Sequence, residues 1–351
     1  MTFDVPDYRS VGAALADGIP SELGFRMPAE WEPHERTVMV FPGSHNLYRG
    51  RGSNDWYGDA CLNWSNVVRA VAEFEPVLVI AHEGEAAIAR KWCGEGVDVV
   101  EMPMNDPWAR DNGPALLVDG KGRRAASGYV FNCWGEDNNR SANDALLKAR
   151  IASHLGLPIF QSGLVTEGGA FTVDGQGTLI TTETCMLNPN RNGVMPREEV
   201  ERHMCEQLGV TKVIWLESGL MPDPITNGHV DGICAFVAPG RVVVHFCEDS
   251  SDVNAAICAK AKADLEQVRD ARGRKLEIVE LPLAGEVAHM NFYIANGGVV
   301  VPTCGDRVAD DRSLGVIAEL FPDRKVVGVE SVTIAQGGGG IHCITQQVPA
   351  A

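Results

Sequence analysis

Five side chains able to do covalent and acid–base chemistry stand in similar glycine-rich surroundings. Asp111 lies in "WARDNGP", Glu167 in "TEGGAF", His229 and Asp231 in "NGHVDGICAF", and Cys343 in "GGGGIHCITQ", close to the end of a 351-residue chain. Glycine beside each allows close backbone approach. Carboxylates grip a planar guanidinium through short, charge-assisted, bidentate hydrogen bonds. Holding that cation makes its central carbon electrophilic towards a thiolate. A neighbouring histidine can protonate the departing ammonia and then activate water against the thiouronium intermediate. Such chemistry needs neither a metal nor an organic cofactor.

Taken singly, each residue has a plainer explanation. A lone cysteine near a terminus is usually inert, and a lone histidine is more often structural. Asp231 could bond local backbone in a turn, and Asp111 beside Arg110 could be a surface ion pair worth little. Recurrence changes the balance. Asp111, Glu167 and Asp231 each stand seven or eight residues ahead of a hairpin turn, and equivalent positions of a ring converge on its axis. His342 is the weaker histidine, since it would face the opposite side of a strand from Cys343. No metal is expected, because the histidines, cysteines and acids show no CxxC, HxxxH or HxE spacing. "GGGG" lacks the Lys-Ser/Thr of a phosphate loop, and "GKGRR" is too short for a nucleic-acid surface.

The elements that must position these residues repeat. Four segments read as strand, two-residue turn, strand: 114–131, 169–182, 232–246 and 291–303. Their turns are Asp119-Gly120, Asp174-Gly175, Pro239-Gly240 and Asn296-Gly297. The turns fall roughly 55 to 65 residues apart, a fixed-period signal. Between them run amphipathic helices followed by short β-branched strands, as in "REEVERHMCEQLG" then "VTKVIWL". "RTVMVFP", "NWSNVVRAVAEFEP" and "VLVIA" at the N-terminal end join the final "IHCITQQVP" as a fifth unit closed by both chain ends. The expected architecture is α/β: a five-bladed, pseudo-symmetric α/β propeller forming one domain over 1–351, with an irregular leader over 1–30. A doubly wound parallel sheet is the competing architecture, but parallel strands need long crossovers and these turns are tight. Ring closure makes "IHCIT" a buried strand, with its glycines admitting a bound guanidinium.

Composition sets the outer bounds. Hydrophobic residues make up 45% and charged residues 22%, which excludes disordered and fibrous classes. The net charge of −17 disfavours nucleic acid and anionic membranes; it suits a small cationic ligand. No apolar run approaches a membrane span, and the N-terminus lacks a signal-peptide pattern. The other nine cysteines mostly adjoin apolar residues and read as small buried hydrophobes in a reducing, cytoplasmic setting.

The ordered set "MPAEWEPHERTVMVFP", "NDPWARDNGP", "EGGAFTVDGQGTLITTETCMLNPNRN", "GHVDGICAFV", "NFYIANGGVVVP", "ELFPDRKVVGV" and "GGGGIHCITQQVP" resembles the agmatine deiminase/Porphyromonas-type peptidyl-arginine deiminase family. That family belongs to the guanidino-group-modifying superfamily with the pentein fold. The resemblance implies Cys343 as nucleophile, His229 as acid–base group, Asp111 and Asp231 as guanidinium holders, and Glu167 as the group orienting or charging the histidine. It further implies Trp108 and Gly339 against the substrate, a homo-oligomer, and agmatine as substrate. The alternatives are another arginine derivative, free, modified or peptidyl, or an amidinotransferase. The stretches 43–64, 135–141 and 221–227 depart from the family pattern, and Glu136 and Asp137, in the loop after Trp134, are open to two readings: a contact to a distal amine or a solvated loop. A non-catalytic propeller would show no convergence of cysteine, histidine and carboxylates.

Overall fold

A computed structural model describes residues 4–45, 56–135, 141–285 and 287–351. Glu136 and Asp137 lie outside the described residues. In chain order the strands and helices begin with β1 (His34–Val40), α1 (Trp56–Ala72), β2 (Val77–Ala81), α2 (Ala86–Cys93), β3 (Asp98–Glu101) and the single turn α3 (Ala109–Asn112). There follow β4 (Ala115–Val118), β5 (Arg124–Val130), α4 (Ser141–His154), β6 (Ile159–Val165), β7 (Phe171–Val173), β8 (Thr178–Thr182), α5 (Glu183–Met186), α6 (Arg197–Leu208) and β9 (Lys212–Leu216). The chain continues through β10 (Cys234–Ala238), β11 (Arg241–Phe246), α7 (Val253–Gln267), β12 (Glu277–Pro282), β13 (Tyr293–Ala295) and β14 (Gly298–Thr303). It ends with α8 (Arg307–Leu320), β15 (Lys325–Glu330), α9 (Val332–Gly337) and β16 (Thr345–Pro349).

The repeat read from the turns is real. Among the described residues there are five small sheets, and a hairpin followed by a third strand recurs in order β4-β5-β6, β7-β8-β9, β10-β11-β12 and β13-β14-β15, the third strand running parallel in β6, β9 and β15. The fifth, β16-β1-β2-β3, pairs the two chain ends antiparallel, with Met39 opposite Thr345. Its additional helix–strand pair, α2 and β3, had no counterpart among the sequence expectations.

Two of the four turns depart from the two-residue form. Pro239-Gly240 and Asn296-Gly297 link their strands directly, whereas Val118 and Arg124 are joined by five residues and Val173 and Thr178 by four. The leading aspartate explains the difference. Asp119 Oδ1 accepts the N–H groups of Lys121 and Arg123, both at 2.9 Å, and Asp174 Oδ1 accepts those of Gln176 and Thr178 at 2.7 and 2.8 Å. A second glycine at positive φ, Gly122 or Gly177, completes each wider turn.

The chain divides into two compact units, one of residues 1–32, 111–280 and 351, the other of 33–110 and 281–350. In the first, Leu117, Ala125, Phe171, Leu179, Leu208 and Trp215 share an apolar core across the β4–β9 sheets. The leader of this unit is largely irregular yet anchored: Tyr8 is buried and its hydroxyl donates to the Tyr129 carbonyl at 3.0 Å. In the second unit, a buried acid does the joining. Glu75 accepts from Thr37 Oγ1, from Tyr293 OH at 3.2 Å and from the Asn296 N–H at 2.7 Å, and faces His34 Nδ1 at 3.1 Å. It thereby ties β1 to the β13–β14 hairpin. Burial would raise its pKa, but the His34 contact and these donors hold it below the usual value.

Glu75→Ala removes one acceptor and strands several buried donors at once, so the expected loss is about 3–5 kcal/mol, read from urea denaturation. A loss under about 1 kcal/mol would show that this acid is dispensable. Because the folded pKa is depressed, its contribution is present above the unfolded value and is lost as pH falls.

Candidate active site

In the first unit, one short helical turn precedes the leading strand of each hairpin and carries the reactive groups. Asp111 sits in α3 before β4, Glu167 caps the 3-10 turn Gly168–Ala170 before β7, and His229 caps the matching turn Val230–Gly232, which holds Asp231, before β10. All four are buried. Gly169 measures how tightly they converge. A methyl group placed on it would lie 2.6 Å from His229 Nδ1, 2.8 Å from Asp231 Oδ2 and 3.2 Å from Asp111 Oδ1. Two hairpin units thus aim a nitrogen and two carboxylate oxygens at one point on the third, which only a glycine leaves open.

The charges are held by named partners. Gly169 N–H donates to Asp111 Oδ1 at 3.0 Å, and Trp134 Nε1 donates to Asp111 Oδ2 at 2.9 Å. Arg191 Nε donates to Glu167 Oε1 at 2.7 Å, and the other oxygen, Oε2, lies 3.1 Å from His229 Nε2. Arg191 Nη1 also reaches the Trp134 carbonyl at 2.6 Å and Asn227 Oδ1 at 3.0 Å. Burial pushes the Glu167 carboxyl up, but the Arg191 charge and the His229 contact prevail and hold it down to about 2. Burial favours neutral His229, yet Asp111 with Cys185 and Glu167 outweighs this and raises its pKa well above the ordinary value. Asp111 is itself raised by burial, with His229 opposing. Lys148, buried over the Phe131 ring at 5.6 Å, is lowered to about 8 by burial despite attraction to Glu167 and Asp111.

In the second unit, Cys343 lies on the 3-10 turn His342–Ile344, not in a strand; β16 begins two residues later and is buried. The expectation of an "IHCIT" strand, and of His342 on its opposite face, is corrected accordingly. β-Branched neighbours suggested extended backbone, whereas the Ile344 N–H closes a turn on the Ile341 carbonyl at 3.3 Å. The glycine run does not form a bare loop either: Gly337 ends α9 and Gly338 caps it at φ +104°. A methyl on Gly339 would fall 2.5 Å from Trp108 Cζ3 and 3.1 Å from Cys343 Cβ, so these three sequence candidates share one place. Asn291 Oδ1 accepts from the Cys343 thiol at 3.3 Å and from its N–H at 3.2 Å. Arg110 is buried and donates to Gln347 Oε1 at 2.7 Å and to the His342 carbonyl at 3.3 Å. It is therefore a buried group and not a surface one.

Four contributors escaped the sequence reading. Cys185 was counted among inert apolar thiols, yet its Sγ, a Glu167 oxygen and a His229 nitrogen lie within 4.8 Å of one another. Cys205, Cys247 and Cys304 are only partly buried, so they too depart from that reading. Arg191, in "NPNRN", and Trp134 and Asn291 carried no local signal. The counter-charge required by buried acids was the one available hint of Arg191.

A family model described as Porphyromonas-type peptidyl-arginine deiminase matches residues 26–349. The chain belongs to that family. A Streptomyces avermitilis protein named "Putative agmatine deiminase" is 42% identical over 346 residues, covering 94% of this chain and 99% of its own. A Legionella pneumophila protein of the same name is 36% identical, with 94% and 96% covered. The solved agmatine deiminase of Enterococcus faecalis superposes with a TM-score of 0.89 at 33% identity, covering 96% of this chain and 99% of its own. The expected pentein-type α/β fold is therefore borne out, and the chain is a hydrolase acting on carbon–nitrogen bonds of guanidino groups. No helix among the described residues is long and apolar enough to cross a membrane.

Glu167→Gln should let the His229 imidazole titrate nearer its ordinary range, because the closest fixed negative charge is gone. The ring-proton NMR shift of His229 against pH reads this directly. A titration unchanged from the parent would locate the cation's counter-charge elsewhere.

Proposed function

We propose that this enzyme hydrolyses agmatine to N-carbamoylputrescine and ammonia, with Cys343 as nucleophile and His229 as acid–base group. The observation that carries the reading is the meeting of Asp111 Oδ1, Asp231 Oδ2 and His229 Nδ1 around Gly169. Two carboxylate oxygens and one imidazole nitrogen match the forked N–H edges of a guanidinium and its leaving amine. Kinship with proteins named agmatine deiminase supports the substrate.

The steps follow from where the protons sit. In the resting protein the Cys343 S–H donates to the Asn291 amide oxygen. A guanidinium cation beside it favours the thiolate, the thiol proton passing to solvent as the cation binds, and Asp111 and Asp231 hold the cation in place. Cys343 Sγ bonds to the guanidino carbon, and one carbon–nitrogen bond breaks as His229 Nδ1 delivers a proton, releasing ammonia. Its Nε2 side is occupied by Glu167 at 3.1 Å, which leaves Nδ1 as the working nitrogen. His229 then accepts a proton from water attacking the thiouronium carbon. The carbon–sulfur bond breaks, giving the ureido product and returning the thiol. Trp108 and Gly339 would flank the guanidinium on the Cys343 side.

Agmatine, free arginine, methylated arginines and a peptidyl arginine should be compared for ureido product and ammonia. Agmatine is expected to give the highest kcat/KM, and a clear preference for any of the others would replace it. Cys343→Ala should lower kcat by roughly 10⁴-fold or more, with a covalent adduct seen by intact mass only when Cys343 is present. Gly169→Ala should lower kcat/KM by about 100-fold or more, because its methyl fills the point where the acids and His229 meet. Full turnover in Cys343→Ala would remove covalent catalysis altogether.

A further inference from the structure

We propose that His45, His82 and Glu85 form a binding site for one divalent transition ion of the zinc class. None of these residues belongs to the guanidino chemistry. β1 and β2 run parallel with Val40 opposite Ile80, so the segments leaving their C-terminal ends emerge side by side. His45 follows β1, while His82 and Glu85 follow β2 and lead into α2. A ring nitrogen from each histidine and a Glu85 oxygen lie within 4.8 Å of one another, and the two imidazole centroids are 3.9 Å apart at a 48° tilt. Two imidazolium rings at that separation repel. Two neutral rings beside a carboxylate are a donor set for a cation.

The surroundings orient these donors. His45 Nε2 meets the Met104 carbonyl at 3.3 Å, and His82 Nδ1 meets the Glu83 carbonyl at 3.1 Å. A carbonyl only accepts, so those nitrogens carry the hydrogens and the lone pairs fall on His45 Nδ1 and His82 Nε2. Histidine ligands are commonly oriented in this way by an outer carbonyl. Glu85 is held in turn by the Ser44 N–H at 3.0 Å and by the Ser44 hydroxyl. Gly43 leaves room for the His45 ring, since a methyl there would lie 2.4 Å from its Cε1. Glu101 accepts the Ala86 N–H at 2.9 Å at the start of α2. Two imidazoles and one carboxylate suit zinc and its neighbours rather than calcium or magnesium. His45 is exposed and His82 and Glu85 are half-buried, so water can complete the coordination.

Metal-free full-length protein should be titrated with Zn(II) by calorimetry and with Co(II) by visible absorption. One ion per chain is expected, with His82→Ala and Glu85→Gln each weakening affinity by about tenfold or more. Gly43→Ala should weaken it too, by displacing the His45 ring. Zn(II) should raise the melting temperature of the parent but not of His82→Ala, since an ion stabilises only a fold that binds it. The absence of saturable binding would overturn the proposal. So would parental affinity in both His82→Ala and Glu85→Gln, or binding lost in Cys185→Ser alone, which would assign the ion to the Glu167–Cys185–His229 group. None of these readouts depends on turnover, so they stand apart from the agmatine reading.

Discussion

The grip of Arg191 on Glu167 is the interaction on which the acid cluster depends. Asp111, Glu167 and Asp231 are buried together with His229, and each charge removed from water carries a penalty of several kcal/mol. At a separation of 3 Å and an effective dielectric near 20, one opposite charge returns about 5 kcal/mol. That offset suffices for one well-made pair and fails for a loosely placed one. Arg191 supplies it at 2.7 Å, with its guanidinium also bound to the Trp134 carbonyl and Asn227. Trp134 in turn donates to Asp111. A single cation therefore fixes the ionised state of one acid and, through a tryptophan, the position of another.

This arrangement follows from the repeat. A hairpin's leading strand is entered through a short turn, and such an entrance carries one or two of these side chains. Asp111, Glu167 and Asp231 occupy three such entrances in one compact unit, and Cys343 occupies the entrance to β16 in the other. Asn291 stands two residues ahead of β13, just as Cys343 stands two ahead of β16, and the two side chains are hydrogen-bonded. One backbone device, used repeatedly, presents acid, imidazole, amide and thiol.

The sequence made most of the framework legible because its signals are local. Asp-Gly and Asn-Gly marked the turns, and the 3.6-residue period marked α6, α7 and α8 within a few residues. What failed was equally local. "IHCIT" has β-branched residues around a helical turn, so propensity misplaced Cys343 by one element. Asn291, which touches the thiol, stands five residues ahead of Asn296, outside the seven- or eight-residue spacing that marked the three acids, while His289 at that spacing is committed to Asp310 at 2.8 Å. Cys185 and Arg191 escaped for a different reason: their roles come from tertiary neighbours tens of residues away, and neither lies in a pattern that periodicity can mark.

The two groups to which the proposed mechanism assigns chemistry have complementary surroundings. His229 is held as the cation by carboxylates, so it is loaded with the proton that a departing amine must receive. Cys343 instead meets a neutral amide oxygen through its S–H, a partner that a thiolate would repel. Under the proposed mechanism a bound guanidinium places a positive charge beside this thiol, so the charge that the carboxylates attract also favours the thiolate. A neutral molecule of similar shape would bring neither the attraction nor that charge, so in this reading selectivity for cations and activation of the thiol share one physical cause.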